Sequence, residues 1–419
     1  MERIIINNAR ILHSDIQNKK MQTCYLAEGK FIAFDQAPSD FTADKVIDAK
    51  GAWMMPSLVD LSVNLFRKAQ NDLLYLTNSL KIAQKSGIKF LCQWPTKSPA
   101  FDNPTTVSAI KQHYSTSGNS QLLPIASLTN DLAGQHIANM ALLKKAGALG
   151  FSQGDYPIAD TRVLMNAFAY AASFDLTVFI RPIDPWLNQA VSIHQGVISE
   201  MLGIDGIARE AETLEIQRCL TLAKKTGVKL HFSGISCAQS VALIREAKNQ
   251  GLPITADVAI THLFLTEMDL ANFEPACHLI PPLRHLDDQQ ALLAGIQDGT
   301  IDIIASHNRS CSLNGKRNPF SLTPAGYHGL VTFLPLLLML SEKLDCEFMS
   351  ILKCASANAY ALLGTDAPQF KVNAVADFVL FNPKKSTEHS ASTYQSPFAN
   401  WHLSGVVEHI CFDGCFLTL

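Results

Sequence analysis

The 419-residue sequence has neither a long apolar run nor an excess of one charge. Its longest apolar stretch, residues 330–340, contains Pro335 and is shorter than the roughly 20 residues of a membrane-spanning helix, so we interpret it as a buried helix. The 34 Lys and Arg residues nearly balance the 37 Asp and Glu residues. This balance excludes the basic surface that a protein presents to nucleic acid or to an anionic membrane.

Charged residues make up only 17 % of the chain and hydrophobic residues 47 %, which excludes an intrinsically disordered protein. The sequence does not open with a signal-peptide pattern, so we expect a cytoplasmic protein. The ten cysteines lack Cys-x-x-Cys and zinc-finger spacings, which favours buried reduced thiols. Cys411 and Cys415 flank Asp413 and Gly414, a dipeptide that predicts a tight hairpin turn.

Short β-type runs occur at both ends of the chain. Near the amino terminus they comprise residues 4–6, 23–26 and 30–34, and near the carboxyl terminus residues 374–381 and 405–416. We therefore expect segments 1–55 and 364–419 to join in one small β-sandwich domain.

Between residues 56 and 363 the pattern changes to eight short apolar runs that alternate with segments of helical periodicity. This alternation predicts parallel βα units that close into a (β/α)8 barrel, the TIM-barrel fold of the α/β class, with further helices after the eighth strand. The strands are predicted at residues 58–63, 88–93, 122–127, 148–152, 176–181, 228–233, 252–258 and 301–306. The helices between them include residues 72–86, 135–145, 160–173, 208–226, 238–250 and 287–298. Several of them are predicted to end at a glycine before the next strand, as at Gly87, Gly147 and Gly227, because glycine tolerates a positive φ angle.

Chemistry in such a barrel occurs where the strands end and in the loops that follow them. The side chains at these places do not form a convincing cluster of metal ligands. They are Ser62, Asn64, Thr96, Gln153, Arg181, Gly234 and His307.

Several stretches resemble the cyclic amidohydrolases, and most closely the longer bacterial dihydroorotases, which close carbamoyl aspartate to dihydroorotate. The resemblance covers nearly the whole chain in order and implies a barrel of the metallo-dependent hydrolase type. The stretches are WMMPSLVDLSVN (53–64), KAGALGFS (145–152), HQGVISEMLGIDGI (194–207), PPLR (281–284), DGTIDIIA (298–305) and DFVLFNP (377–383).

All six metal-ligand positions of that family are changed. The family opens its barrel with Asp-x-His-x-His-x-Arg, where both histidines bind metal and the arginine holds the substrate carboxylate. The changed ligand positions hold Ser62, Asn64, Gln153, Arg181, Gly234 and His307, and the two substrate-holding positions hold Phe66 and Thr96.

The resemblance therefore implies a chain without the family's metal, without a cofactor and without catalytic residues. Arg and Gly side chains do not coordinate a divalent cation, and neutral Ser, Asn and Gln are weak ligands. A bound metal lowers the pKa of its water from about 15.7 to about 7, so losing it removes the attacking hydroxide. We expect a protein that is not a working dihydroorotase and not an enzyme, although the residues leave open an altered activity.

The remaining polar residues allow two interpretations. His231 in the sixth strand and His262 after the seventh could serve a rebuilt site, but core histidines with hydrogen-bond partners explain both more simply. His307 with Asn308 and Arg309 could form a new base site, and Arg181 beside it could receive an anion. However, Arg181 and His307 would be neighbouring cations where the metals are lost, so positive charge replacing positive charge is an adequate structural explanation.

The sequence thus leaves two hypotheses. The first is a non-catalytic, dihydroorotase-like subunit on which aspartate carbamoyltransferase assembles in pyrimidine biosynthesis. Family members are commonly dimers and the transferase chains form trimers, which gives closed particles of six plus six chains. The second is a metal-independent enzyme or a small-ligand-binding protein that uses His307 and Arg181, with Asp184 and Arg309 as further candidates.

Overall fold

A computed structural model describes residues 2–12, 20–66, 72–114, 118–188, 191–309, 311–388 and 396–419. Its strands are β1 (Ile4–Ile11), β2 (Gln22–Ala27), β3 (Lys30–Phe34), β4 (Lys45–Asp48), β5 (Trp53–Met55), β6 (Leu58–Asn64), β7 (Ile88–Gln93), β8 (Gln121–Pro124), β9 (Ala126–Ser127), β10 (Phe151–Ser152), β11 (Thr177–Ile180), β12 (Lys229–Phe232), β13 (Ile254–Ala259), β14 (Ile303–Ala305), β15 (Asn308–Arg309), β16 (Phe378–Glu388), β17 (His402–Phe412) and β18 (Cys415–Thr418).

The helices alternate with the middle strands. They are α1 (Asp72–Lys85), α2 (Pro104–His113), α3 (Met140–Ala146), α4 (Thr161–Ser173), α5 (Val197–Leu202), α6 (Glu210–Thr226), α7 (Ala238–Asn249), α8 (Leu286–Gln297), α9 (Leu330–Lys343), α10 (Phe348–Ala355) and α11 (Ala357–Leu362). Measured over the described residues, every helix falls short of the length and hydropathy that a bilayer-spanning segment needs.

The strands from β6 to β15 form the predicted barrel. Its neighbouring strands pair in parallel, and β15 returns to pair with β6, which closes the ring. The third barrel strand consists of β8 and β9, separated at Ile125. The fold class predicted from the alternating pattern is confirmed.

Glycines end several barrel helices, as the sequence predicts. Gly147 after α3 and Gly227 after α6 have φ angles of 108° and 73°, in the left-handed region that an L side chain disfavours. Each such turn directs the chain back into the next strand. Because a glycine marks each of these turns, the sequence predicts the ends of α3 and α6 to within a few residues.

One helix begins later than predicted. The periodicity predicts a helix over residues 135–145, but α3 starts at Met140. Ile137 instead forms a β-bridge with Thr129, and the Asn139 side chain accepts a hydrogen bond from the Leu142 backbone N–H at 3.2 Å. This side-chain cap fixes the start of the helix.

A second sheet joins the two ends of the chain, as predicted. Its strand order is β18-β17-β16-β5-β1-β2-β3, and β4 pairs with β1. Its core contains fully buried side chains from both ends, including Ile6, Phe31 and Met54 together with Phe378 and Leu380. The domain limits 1–55, 56–363 and 364–419 stay a prediction.

Two smaller predictions concern α9 and the cysteines. Residues 330–340 do form a largely buried helix, which contains Pro335. All ten cysteines carry free thiols, and eight are buried. Asp413 and Gly414 have φ angles of 51° and 79° and form the tight turn between β17 and β18.

Candidate functional site at the barrel mouth

The predicted site positions lie where the barrel strands end. Ser62, Asn64, Arg181 and His307 line a cavity of about 20 Å³, which we call the inner cavity and which has room for one water molecule. Gly234 lines a neighbouring outer cavity, defined below. Gln153 is buried beside them, and its Oε1 accepts a hydrogen bond from the Thr129 hydroxyl at 3.0 Å.

Two predicted positions lie away from this group. The aromatic ring of Phe66 packs edge-on against that of Phe101, with ring centroids 5.9 Å apart. The Thr96 hydroxyl donates to the Pro99 carbonyl oxygen at 3.0 Å and stabilises its own loop. Neither side chain offers a charged group to a substrate carboxylate.

His307 joins Ser62 to a buried carboxylate that the sequence analysis missed. Its Nε2 lies 2.7 Å from Oδ1 of Asp257, and its Nδ1 lies 3.3 Å from Oγ of Ser62. Burial lowers the pKa of His307, and Arg181 lowers it further, although Asp257 opposes both. This shift favours the neutral imidazole over the charged one, and the expected pair of neighbouring cations stays a prediction.

Gly234 makes room for this imidazole. A Cβ atom at position 234 would lie 2.7 Å from Cε1 of His307, closer than real contacts allow. The Gly234 backbone N–H donates to Oδ1 of Asp257 at 2.7 Å. A ligand histidine at position 234 and the observed His307 ring therefore exclude each other.

Arg181 belongs to an ion cluster across the mouth. Its Nε lies 3.3 Å from Oδ1 of Asp155 and makes no hydrogen bond to a described residue, whereas its Nη1 donates to the Ile280 carbonyl oxygen at 3.3 Å. Arg309 Nη2 binds the other oxygen of Asp155. Burial alone would raise the pKa of Asp155, but Arg309 and Arg181 lower it to about 2.

This ion cluster separates the inner cavity from the outer cavity, which has a volume of about 350 Å³. Both cavities share Asp155, Arg181, Ile280 and Arg309 in their walls. The volume lies at the lower end of small-molecule sites, which span about 300–1,000 Å³. A small polar molecule fits such a space.

Two loop motifs meet at the outer cavity. Arg284 of the PPLR stretch donates from Nη1 to the Ile207 carbonyl oxygen at 2.7 Å and lies 3.1 Å from Nδ1 of His194. Burial and the nearby Arg284 charge lower the pKa of His194 to about 4. Arg284 thus fastens the HQGVISEMLGIDGI loop to the PPLR loop.

The other candidates have partners elsewhere. His231 Nε2 lies 2.9 Å from Oδ2 of Asp257, which connects this core histidine to the site indirectly. His262 Nε2 lies 3.1 Å from the Pro282 carbonyl oxygen, and burial lowers the pKa of His262 to about 3. Asp184 Oδ1 accepts hydrogen bonds from two backbone N–H groups of its own turn.

The residues at the mouth do not fit a divalent metal. Over the described ranges, His, Cys, Asp and Glu side chains do not gather in threes that could hold an ion. Asp155 and Asp257 are each bound by cationic or imidazole groups rather than left to coordinate. We therefore derive no chemistry from a metal here.

Asp155 and Asp257 carried little signal in the sequence. Asp257 is a lone acid inside the apolar strand β13, and only its position near the end of a barrel strand could have drawn attention to it. The family motif predicts an acidic residue at the position that Gln153 occupies, and Asp155 lies two residues after it. A search that allowed for this shift could have found it.

Comparisons with known proteins agree on family and fold. The family model "Dihydro-orotase-like" matches residues 51–240. A "Dihydroorotase-like protein" of Pseudomonas aeruginosa is 32 % identical over 98 % of each chain, and a "Dihydroorotase" of Caldanaerobacter subterraneus is 32 % identical over 88 % of this chain and 87 % of that one. The L-hydantoinase of Arthrobacter aurescens superposes with a TM-score of 0.82 at 20 % identity, covering 100 % of this chain and 96 % of that one, which shows a shared fold.

These comparisons contradict the prediction that the chain is not an enzyme. Relatives that are 32 % identical over 88 % of this chain carry the name dihydroorotase, so membership of this family speaks against that prediction. The prediction equated lost metal ligands with lost chemistry. Two of the changed positions, Ser62 and His307, instead lie in contact with each other, and His307 also contacts the Asp257 carboxylate.

Proposed function

The chain belongs to the dihydroorotase-like family, and from this membership we propose that it is an assembly subunit of aspartate carbamoyltransferase in the cytoplasmic synthesis of pyrimidines. One observation carries the proposal. The fold is retained along the chain, while the metal-binding positions hold side chains that bind each other, such as His307 with Asp257. Retention of the outer shape is what a partner-binding role requires.

This role is independent of chemistry at the barrel mouth. Arg181 and His307 are buried side chains, whereas a partner of this size binds the outer surface. Dimers of this chain combined with transferase trimers give closed particles of six plus six chains. Each interface then occurs many times in one particle, so modest contacts suffice.

Co-purification tests the proposal directly. The tagged chain is expected to retain untagged aspartate carbamoyltransferase from the same cell and to elute with it in gel filtration as one large particle. Carbamoyl-aspartate synthesis by the transferase should depend on the added chain. The variants Arg181→Ala and His307→Ala should preserve this rescue.

Two independent peaks at micromolar concentration, with full transferase activity in the transferase peak, would overturn the assembly role. If the two mouth variants lost the rescue while their unfolding curves were unchanged, the barrel mouth rather than the outer surface would be needed for the transferase.

A second candidate function is binding or metal-independent turnover of a small ligand at the mouth. The outer cavity favours it, because Arg181 and Arg309 face this space and Arg181 Nε makes no hydrogen bond within the described part of the chain. Guanidinium groups pair with carboxylates in a planar, two-bond geometry. A small carboxylate that replaces Asp155 as the partner of Arg309 fits this chemistry.

Calorimetry with succinate tests the second candidate, with neutral succinamide as the comparison ligand. Succinate should bind, and Arg309→Gln should weaken its affinity by about tenfold, as expected for one hydrogen bond to a charged group. Exposed Arg317→Gln is the matched control and should bind like the parent. Equal heats for succinate and succinamide would exclude a carboxylate site.

A further inference from the structure

We propose that Ser62, His307 and Asp257 form a catalytic set in which Ser62 attacks the carbonyl carbon of a small amide or ester that also carries a carboxylate. The inference rests on the second proposed function, since the substrate enters through the outer cavity. The three residues lie on or directly after β6, β14 and β13, so the closed barrel brings them together.

The hydrogen-bond directions assign the roles. A carboxylate only accepts, so His307 donates its Nε2–H to Asp257 across 2.7 Å. Neutral His307 then keeps a lone pair on Nδ1, which lies 3.3 Å from Oγ of Ser62 and can take its proton. A nucleophile next to a base that a third group orients is the signature of activated serines.

The surroundings hold both neighbours of the serine in the required protonation states. The Asp257 carboxylate accepts hydrogen bonds from the Gly234 backbone at 2.7 Å and from His231 at 2.9 Å, besides that of His307. Burial alone would raise the pKa of Asp257, but the hydrogen bonds from His231 and His307 lower it. Burial lowers the pKa of His307 and the charges of Arg181 and Arg309 add to this effect, although Asp257 raises it, so the net shift favours the unprotonated imidazole that the base role requires.

His307 has an unusual backbone conformation of a kind that is found at catalytic sites. His307 has a φ angle of 51°, a left-handed conformation that few residues other than glycine adopt. The position of the His307 ring also requires a glycine at position 234, because a Cβ atom there would lie 2.7 Å from Cε1 of His307. Strained residues of this kind cluster at active sites, where the surrounding structure holds them in place.

The two cavities define the substrate. Ser62 and His307 line the inner cavity of about 20 Å³, which has room for a water molecule but not for an organic substrate. Asp155, Arg181 and Arg309 separate it from the outer cavity of about 350 Å³. A substrate carboxylate that displaces Asp155 from Arg309 would open this boundary and bring a neighbouring carbonyl group towards Ser62.

The reaction balances without a metal or a redox partner. The Ser62 Oγ forms a bond to the carbonyl carbon while its proton moves to Nδ1 of His307. The bond from that carbon to the leaving nitrogen or oxygen breaks, and the leaving atom takes the proton from His307. Water then attacks the acyl-serine with His307 again as the base, which yields a carboxylic acid and free Ser62.

A fluorophosphonate reagent, which modifies activated serines, tests the nucleophile. The full chain should take up one equivalent, and peptide mass spectrometry should locate the adduct on Ser62. The mono-p-nitrophenyl ester of succinic acid should release nitrophenol, with a burst close to one equivalent. Ser62→Ala and His307→Gln should each lower this rate by about 100-fold or more.

Ser233→Ala is the matched control, because Ser233 is also buried but its hydroxyl has no hydrogen-bond partner among the residues that the structure describes. It should keep the parental rate and labelling. Arg309→Gln should reduce the preference for the succinate ester over neutral p-nitrophenyl acetate. Asp257→Asn should lower kcat more than it raises KM, as expected for a group that acts through His307.

The proposal is overturned if the reagent labels other residues, or if Ser62→Ala hydrolyses the ester like the parent while unfolding at the same temperature. Calorimetry on Ser62→Ala measures succinate binding alone, so it distinguishes failure of the nucleophile from failure of the ligand site. Succinate binding to Ser62→Ala together with an inert parent would retain the pocket and reject the nucleophile.

Discussion

Buried charge occurs at both ends of the barrel, and the two places differ in how completely it is paired. At the amino-terminal end of β7, Lys89 Nζ binds Asp377 and lies 2.6 Å from Oδ1 of Asp413. The remaining carboxylate oxygens accept from Ser57 at 2.6 Å and from Gln121 at 3.2 Å. At the carboxyl-terminal end, Asn64 Oδ1 and Arg181 Nε make no hydrogen bond to any described residue, and both side chains line the inner cavity.

This difference separates stability from function. In (β/α)8 barrels the amino-terminal face contributes to stability and the carboxyl-terminal face holds the chemistry. Fully paired polar groups rigidify a structure, whereas an unpaired buried group costs free energy and persists where something else requires it. We therefore expect changes near Lys89 to alter folding and changes near His307 to alter ligand chemistry.

The largest expected effect comes from removing residues 1–55. This deletion takes away β1 to β5, so Phe378 and Leu380, which are fully buried, lose the strands that cover them. Exposed apolar patches of this kind cause aggregation. Little soluble protein should be recovered, and an unchanged thermal transition in the truncated chain would disprove the shared sheet.

Lys89→Met should cost about 3–5 kcal/mol in the free energy of unfolding, because it leaves the buried Asp377 carboxylate unpaired. Urea unfolding measures this loss. Lys229→Met is the matched control, since Lys229 pairs with Asp175 at the surface, where both side chains are at least half exposed and such pairs contribute about 0–1 kcal/mol. Equal losses in the two variants would contradict the importance of burial.

The sequence predicted most of the fold because the barrel repeats one simple pattern. The apolar run of β7 was located to the residue, and the turns at Gly147 and Gly227 located the ends of helices. The start of α3 was missed because its limit depends on a side-chain cap at Asn139 and a bridge of Ile137 to another loop. The periodicity of apolar residues contains no information about such local hydrogen bonds.

The sequence predicted the positions of the site better than its contacts. A family motif identifies Ser62 and His307 as changed ligand positions, yet the imidazole orientation depends on Gly234 and on the left-handed backbone at residue 307. Asp257 was missed because a single acid in an apolar strand belongs to no motif. Partners from distant strands become visible only when the barrel closes.

The next prediction tests the contact between Gly234 and His307. Gly234→Ala should destabilise the fold by about 1–3 kcal/mol more than Gly227→Ala, as expected for overpacking. Both glycines have φ angles near 70°, but a Cβ at Gly227 meets nothing within 4 Å. The excess cost should fall in a His307→Ala background, which a double-mutant cycle measures. An excess that persists there would place the clash elsewhere.

The smallest expected effect concerns pH and His262, which is buried at the mouth. Its pKa is lowered to about 3 by burial, whereas a histidine in the unfolded chain titrates near 6.5. The unfolded state therefore binds more protons between these values, so stability is constant above pH 6.5 and falls as the pH decreases below it. At pH 5.5 this one residue should cost about 1 kcal/mol.

His262→Gln should remove that part of the acid sensitivity, because the amide does not titrate and can still donate to the Pro282 carbonyl oxygen, which His262 contacts at 3.1 Å. Urea midpoints at pH 7.5 and pH 5.5 measure the difference. His113→Gln removes an exposed imidazole and is the matched control. If both variants follow the parental pH dependence, His262 is not held neutral by its burial, and the mouth differs less from the Lys89 end than the hydrogen bonds indicate.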